Sequence, residues 1–261
     1  MLKCNAVAPA GGFGNKGNCG VGMTTWLAFW DSDHSVYVSE RHKSAHADLV
    51  LTDIRAMVPD RSARVLDFGC GEARYAEVLA TCCGELVLCE AAAQVRARLA
   101  ARLANVEGCR VIGGDDLVAE PAASFDLIVV NSVLQYIARD ELPKLLARWH
   151  GLLARDGRLV LADIVQPDTG PLTDAISLLR FAWRDGFLTD AIVGLGRMAV
   201  SDYRRVRGAL GLATYRPEDL QSLLLRHHLQ GTVAAHNIGH NQARFTIAAQ
   251  RLNERDSGPG A

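Results

Sequence analysis

The stretch VLDFGCGEARYA, residues 65–76, decides how this chain folds. An apolar run leads through Asp67 to two glycines one residue apart, Gly69 and Gly71, and a helical pattern follows. A short, nearly all-apolar strand such as 63–69 is the kind buried on both faces of a parallel sheet. The glycines then fall at its carboxyl end, where open α/β sheets hold ligands. Glycine there lets the backbone approach a ligand closely. Two glycines alone only mark the end of a strand; their weight comes from the surrounding sequence.

Outward from this point, ELVLCE (85–90), CRVIGG (109–114), FDLIVVNS (125–132) and DGRLVLADIV (156–165) read as further strands. Helical patterns separate them at 72–83, 92–104 and 139–154, with Pro143 suited to a first turn. A helix also precedes the first strand, from the N-cap candidate Ser39 toward Pro59. Strands alternating with helices call for a doubly wound parallel sheet with right-handed crossovers. The regularity breaks at 171–210, which is helical in character and loosened by Gly186, Gly194 and Gly196. A capped amphipathic helix (216–229) and two strands around the loop NIGHNQ (231–252) complete the pattern.

Composition narrows the function. With 261 residues and 49% apolar content the chain can bury a large core, and its net charge of −1 does not suit a nucleic-acid partner. Seven cysteines without a CxxC pair argue against a disulfide framework or a zinc site and fit a reducing cytoplasm. The glycine-rich segment 8–22 has no apolar period and reads as part of a disordered tail, 1–22, with Met23 a candidate translation start. No stretch has the roughly 18 uninterrupted apolar residues of a membrane span.

The edge of the sheet carries acid. Glu90 ends the second strand about 20 residues after the glycines, where a carboxylate takes ribose hydroxyls. Asp115 and Asp116 follow the third strand, and the glycine loop contains no lysine. A pyrophosphate is poorly served here and a cationic nucleoside well served. Arg74 stands where a dinucleotide G-x-G-x-x-G/A fingerprint needs a small residue.

Taken together, VLDFGCGEA, LVLCE, GGDD, FDLIVVNSVLQYI and LLARDGRLVLADI resemble the successive motifs of the class I S-adenosylmethionine-dependent methyltransferases. Ala73 replaces the third glycine of the family's first motif. The resemblance spans about residues 40–165, and the final hairpin fits the family's antiparallel last strand. It implies an α/β, doubly wound, Rossmann-like seven-stranded sheet, six strands parallel and the last antiparallel. A helical insertion lies between strands 5 and 6. The expected division is a lid at 23–60, a cofactor-binding core at 61–165, and an insertion at 166–215 covering the acceptor site. The last helix and hairpin at 216–252 and a tail at 253–261 follow.

The resemblance also implies roles. Asp67, Gly69 and Gly71 border the methionyl part of S-adenosyl-L-methionine, and Glu90 takes its ribose. Asp115 or Asp116 faces the adenine amine, and Asn131 lies near the sulfonium. An N-terminal lid would bring Tyr37 and Arg41, four residues apart, onto one helical face, with Arg41 on the cofactor's carboxylate. Methyl transfer to a neutral leaving group needs alignment more than a strong base. His240 and His236, flanking NIGHNQ, are the candidates for a base or acceptor-orienting group, with Tyr136 and the strand-end Asp163 beside them. Gln135 stands where many small-molecule members carry a histidine.

The expected activity is methylation of a small molecule at O, N or C, releasing S-adenosyl-L-homocysteine. One alternative is a lipid or quinone acceptor at a membrane surface, suggested by the basic, amphipathic segment 171–210. Another is a non-catalytic cofactor-binding scaffold.

Overall fold

A computed structural model describes residues 26–31, 37–198 and 207–252. The tails at 1–22 and 253–261, and Met23 as a start, lie outside the described residues. The sheet has seven strands: β1 (Arg64–Phe68), β2 (Glu85–Cys89), β3 (Cys109–Ile112), β4 (Phe125–Asn131), β5 (Leu153–Ile164), β6 (Leu229–Val233) and β7 (Phe245–Arg251). Their order is β3-β2-β1-β4-β5-β7-β6. β1 to β5 pair in parallel, and β7 runs antiparallel to both β5 and β6. Strand order therefore reverses between β1 and β4, which opens a crevice at their carboxyl ends.

The pleat sorts side chains onto two faces. Leu66, Ile128 and Leu161 pack with Trp149 of α5 (Leu142–Leu152) and Leu220 of α8 (Pro217–Arg226). Val65, Leu127, Val129 and Val160 pack on the other face with Ile54 of α2 (Glu40–Arg55), Leu79 of α3 (Ala76–Ala80) and Leu99 of α4 (Ala93–Leu103). Each fully buried side chain of this size contributes about 1.5–3 kcal/mol. Strands apolar on both faces follow from this double cover.

Several local expectations change. The helix expected over 72–83 is only α3, because Gly71 and Ala73 adopt left-handed backbone (φ 57° and 38°) and hold 69–75 as a loop. Ser39 caps α2 by accepting from the His42 N–H, but the helix stops at Arg55, short of Pro59. β5 begins earlier than expected, at Leu153.

Between β5 and α8 lie α6 (Pro171–Asp185) and α7 (Leu188–Met198). Gly186 ends α6 in the left-handed region that favours glycine. Gly194 does not loosen α7: the helix runs through it, and a Cβ there would collide with Val38. It is a close-approach glycine that lets α7 lie against the segment before α2. Leu178, Phe181, Phe187 and Ala191 form a separate apolar cluster with Val38, Ala45 and Leu49.

Candidate functional site

A cleft of about 910 Å³ opens at the carboxyl ends of β1, β2 and β4. Asp67, Gly69 and Gly71 lie along it from β1 and the following loop, with Glu90 from the end of β2 and Asn131 from the end of β4. Tyr37 and His46 line it from the α2 side, and Trp26 and Trp30 of α1 (Trp26–Trp30) from another. Tyr136 lies 4.7 Å from Trp26 and 5.2 Å from Trp30, ring centre to ring centre.

The glycine loop is built by its backbone. Gly69 has φ 74° and donates its N–H to the Cys89 carbonyl at 2.8 Å, stitching the end of β1 to β2. A side chain at Gly69 would meet Val133 at 2.5 Å, whereas one at Gly71 would meet nothing within 4 Å. The Gly71 N–H donates to Glu90 Oε2 at 2.8 Å, and the Ala92 N–H donates to Oε1 at 2.8 Å. Glu90 is thus oriented by two backbone donors, each carboxylate oxygen retaining a lone pair for another donor.

Asp67 is buried beneath the loop and accepts a hydrogen bond from the Tyr75 hydroxyl at 2.6 Å. Burial raises its pKa to about 7; the Tyr75 bond opposes this and the negative charge of Glu90 reinforces it. Asn131 presents a buried Oδ1 with no hydrogen-bond partner among the described residues.

Lys43 from α2, Arg74 from the glycine loop and Arg98 from α4 all line the cleft. Lys43 of α2 pairs with Glu72 at 3.2 Å, and Arg74 pairs with Glu40 at 2.6 Å. These ion pairs tie α2 to the loop. The absence of lysine from the loop was legible, but not the lysine delivered by α2.

The other predicted residues fall elsewhere. Asp115 is exposed, and Asp116 accepts the Gly113 N–H at 2.8 Å to close a 3-10 turn; their neighbour Gly114 lines the cleft, and they do not. Arg41 does not line it either. Tyr37 precedes the first turn of α2, so the four-residue spacing does not put both on one helical face, and the Arg41 guanidinium lies against Gly186. His236 is exposed, 3.6 Å from Asp53. His240 stacks on Phe181 at 4.8 Å, outside the cleft lining, and burial pushes its pKa down to about 4.

Asp163 is spoken for. Its backbone is left-handed (φ 57°), and its carboxylate accepts from Ser132 Oγ at 2.7 Å and pairs with Arg244 at 2.7 Å. Arg244 also pairs with Asp174 of α6 at 3.2 Å. This locks the end of β5 to α6.

The residues that were missed are His46, Lys43 and Tyr75. The signal was present in HKSAH (42–46): two histidines four apart on a capped helix share one face.

Glycines at a switch point, an acidic end to β2 and an antiparallel β7 define the class of fold expected. Residues 66–159 match the family model of a methyltransferase domain. Residues 66–159 are thus similar to a methyltransferase domain, and the sheet around them has the strand order expected of that fold.

The relatives include an uncharacterized methyltransferase of Mycobacterium tuberculosis and one of Mycobacterium bovis, each 34% identical over 123 residues. The match covers 47% of this chain and 59% of theirs, so the chain spans about three fifths of the length of these relatives. Among solved structures, DhpI in complex with S-adenosylhomocysteine superposes with a TM-score of 0.56 at 12% identity, over 87% of this chain and 96% of that one. Magnesium protoporphyrin IX methyltransferase from Synechocystis, also with bound S-adenosylhomocysteine, gives 0.52 at 15% identity, over 85% and 91%. At these identities the likeness is one of fold.

Proposed function

We propose that the protein transfers the methyl group of S-adenosylmethionine to a small-molecule acceptor. The observation that carries this reading is the Gly71–Glu90 pair. The open space at Gly71 and the oriented carboxylate form a cradle at the sheet's switch point, as a nucleoside needs.

In this reading Glu90 takes the ribose hydroxyls through its free lone pairs. Asn131 Oδ1 and Asp67 face the cationic methionyl end. The adenine lies beside Gly114, the residue of the β3 turn that lines the cleft. The cofactor supplies an electrophilic methyl group on a good, neutral leaving group. The protein's part is to align the acceptor and exclude water, a positioning effect. Tyr37, Tyr136 and the α1 tryptophans supply apolar walls for that.

Calorimetric titration of S-adenosylmethionine and S-adenosylhomocysteine tests it. Both are expected to bind, and Glu90→Ala to weaken them by about 1–3 kcal/mol, the scale for hydrogen bonds to a charged group. If neither ligand binds the wild type, the activity is withdrawn and only the fold stands. Product formation with any acceptor separates an enzyme from a scaffold.

Asp67 adds a pH signature. Its pKa lies above the ordinary 3.8, so ionising it costs the folded state as pH rises from there through about 7. A cation at the site favours the ionised form. Affinity for S-adenosylmethionine is therefore expected to rise with pH up to about 7 and level off above it, and this slope to disappear in Asp67→Asn. An unchanged slope would remove Asp67 from contact with the cationic end.

A second reading has its own observation. α6 exposes Leu172 (73%), Ile176 and Trp183 (76%), with Arg180 and Arg184 alongside, the composition of a helix lying in a membrane interface. It favours a lipid or quinone acceptor. Among the described residues no helix is long and apolar enough to cross a membrane. The protein is then expected to pellet with anionic phospholipid vesicles, and Leu172→Ser with Trp183→Ser to release it. No pelleting at low salt ends this reading.

A further inference from the structure

His46 stands apart from the other histidines. It lines the cleft, whereas His42, His236 and His240 do not. Its Nδ1 is buried without a hydrogen-bond partner among the described residues, as are His42 Nε2 and His240 Nδ1, but of the three rings only His46 lines the cleft. A buried polar atom left unmatched costs free energy, about 1–3 kcal/mol, and calls for an explanation.

The surroundings fix the ring without engaging its nitrogens. Tyr37 lies 5.7 Å away, His240 5.8 Å and His42 6.4 Å, ring centre to ring centre. Gly239 abuts the Cε1 edge, and a Cβ there would sit 3.5 Å from it. The ring is therefore held by packing, with its Nδ1 unspent.

We infer that His46 is the proton acceptor for the methyl acceptor, and that this acceptor carries a weakly acidic hydroxyl on a planar, unsaturated frame, of the phenol or enol kind. This rests on the proposed methyl transfer. The step balances. The hydroxyl proton passes to a ring nitrogen of His46, and an oxygen lone pair forms the new C–O bond. The C–S bond of the sulfonium breaks with its electron pair going to sulfur, leaving a neutral thioether. The imidazolium then returns its proton to solvent.

The substrate class follows from the base. An aliphatic alcohol is too weak an acid for a neutral imidazole to help much, since proton transfer is efficient between groups of matched pKa. A carboxylic acid is already ionised and needs no base. A phenol or enol lies much closer to the imidazole's range than an alcohol does, and the rings of Tyr37 and Tyr136 along the cleft suit a flat partner.

The imidazole is also in the right form. Burial lowers the pKa of His46; the negative charge of Asp163 works against this and the positive charge of Arg244 with it. The neutral, proton-accepting ring therefore persists through neutral pH.

Two readouts test the inference, with 4-nitrophenol, phenol and catechol as probes. With histidine ring nitrogens labelled and S-adenosylhomocysteine bound, 4-nitrophenol is expected to shift the His46 nitrogen resonance in NMR. 4-Nitroanisole, which lacks the proton, is expected not to. In turnover, His46→Gln is expected to keep its affinity for S-adenosylmethionine and lose about 10²-fold in kcat, the lower scale for general base catalysis. The loss should shrink as the phenol becomes more acidic. Turnover unchanged in His46→Gln, or an equal shift with 4-nitroanisole, overturns the role of His46. Cofactor binding without any phenol binding overturns the acceptor class. Failure of the cofactor itself to bind overturns the methyl-transfer reading beneath both.

Discussion

Gly71→Val is expected to abolish measurable S-adenosylmethionine binding while leaving the fold standing. A side chain at Gly71 meets no protein atom within 4 Å, and the residue lines the cleft, so the added volume falls in the space proposed for the cofactor. Its left-handed backbone (φ 57°) makes valine cost about 1–2 kcal/mol in stability, which a domain of this size survives. Steric overlap of this kind costs another ~1–3 kcal/mol in affinity, and loss of the Gly71–Glu90 geometry compounds it to roughly 100-fold or more.

Gly69→Val makes the contrast, because its side chain would strike Val133 at 2.5 Å and damage the fold itself. Thermal unfolding and calorimetry on the two variants separate these outcomes. If Gly71→Val binds S-adenosylmethionine as the wild type does, the cofactor does not lie over the glycine loop.

Arg244→Met is expected to cost about 3–5 kcal/mol in denaturant unfolding. The guanidinium is mostly buried between Asp163 and Asp174, whose side chains are 15% and 22% exposed. Removing it leaves two carboxylates facing each other at low solvation, and one of them sits on strained backbone. Adding Asp163→Asn to Arg244→Met is expected to recover part of the loss, since the uncompensated charge and not the missing packing dominates. A single-variant cost near zero would mean that water already screens the pair.

The fold was legible because its signals are local. β1, β2 and β4 announce themselves as short apolar runs, since a strand covered on both faces has no polar side to display. Gly69 and Gly71 could be placed at the carboxyl end of β1 for the same reason. The glycine loop's length was not legible: alanine is a good helix former, and nothing local says that Ala73 is held at φ 38° by the turn around it.

The candidate site divides in the same way. Asp67, Glu90 and Asn131 stand at strand ends, so register alone delivers them to one edge, and their places could be foreseen. His240 and His236 were favoured because their loop emerges near that edge. Phe181 of α6 captures the His240 ring instead, and His236 turns toward Asp53. His46 lies well before β1 in sequence, and only the packing of α2 across the sheet edge brings it to the cleft.

The sequence by itself determined the approximate strand positions and the strand-end residues Asp67, Glu90 and Asn131, because hydrophobic periodicity and strand-end residues act over a few positions. Only the tertiary structure decided which histidine reaches the cleft, which cation serves it and which carboxylate is already paired. Those outcomes depend on contacts between segments far apart in the chain, such as Asp163 with Arg244 and Lys43 with Glu72. Burial then sets what each group can do. The same packing that hides Asp67 raises its pKa to about 7, and the packing around His46 leaves its Nδ1 unspent.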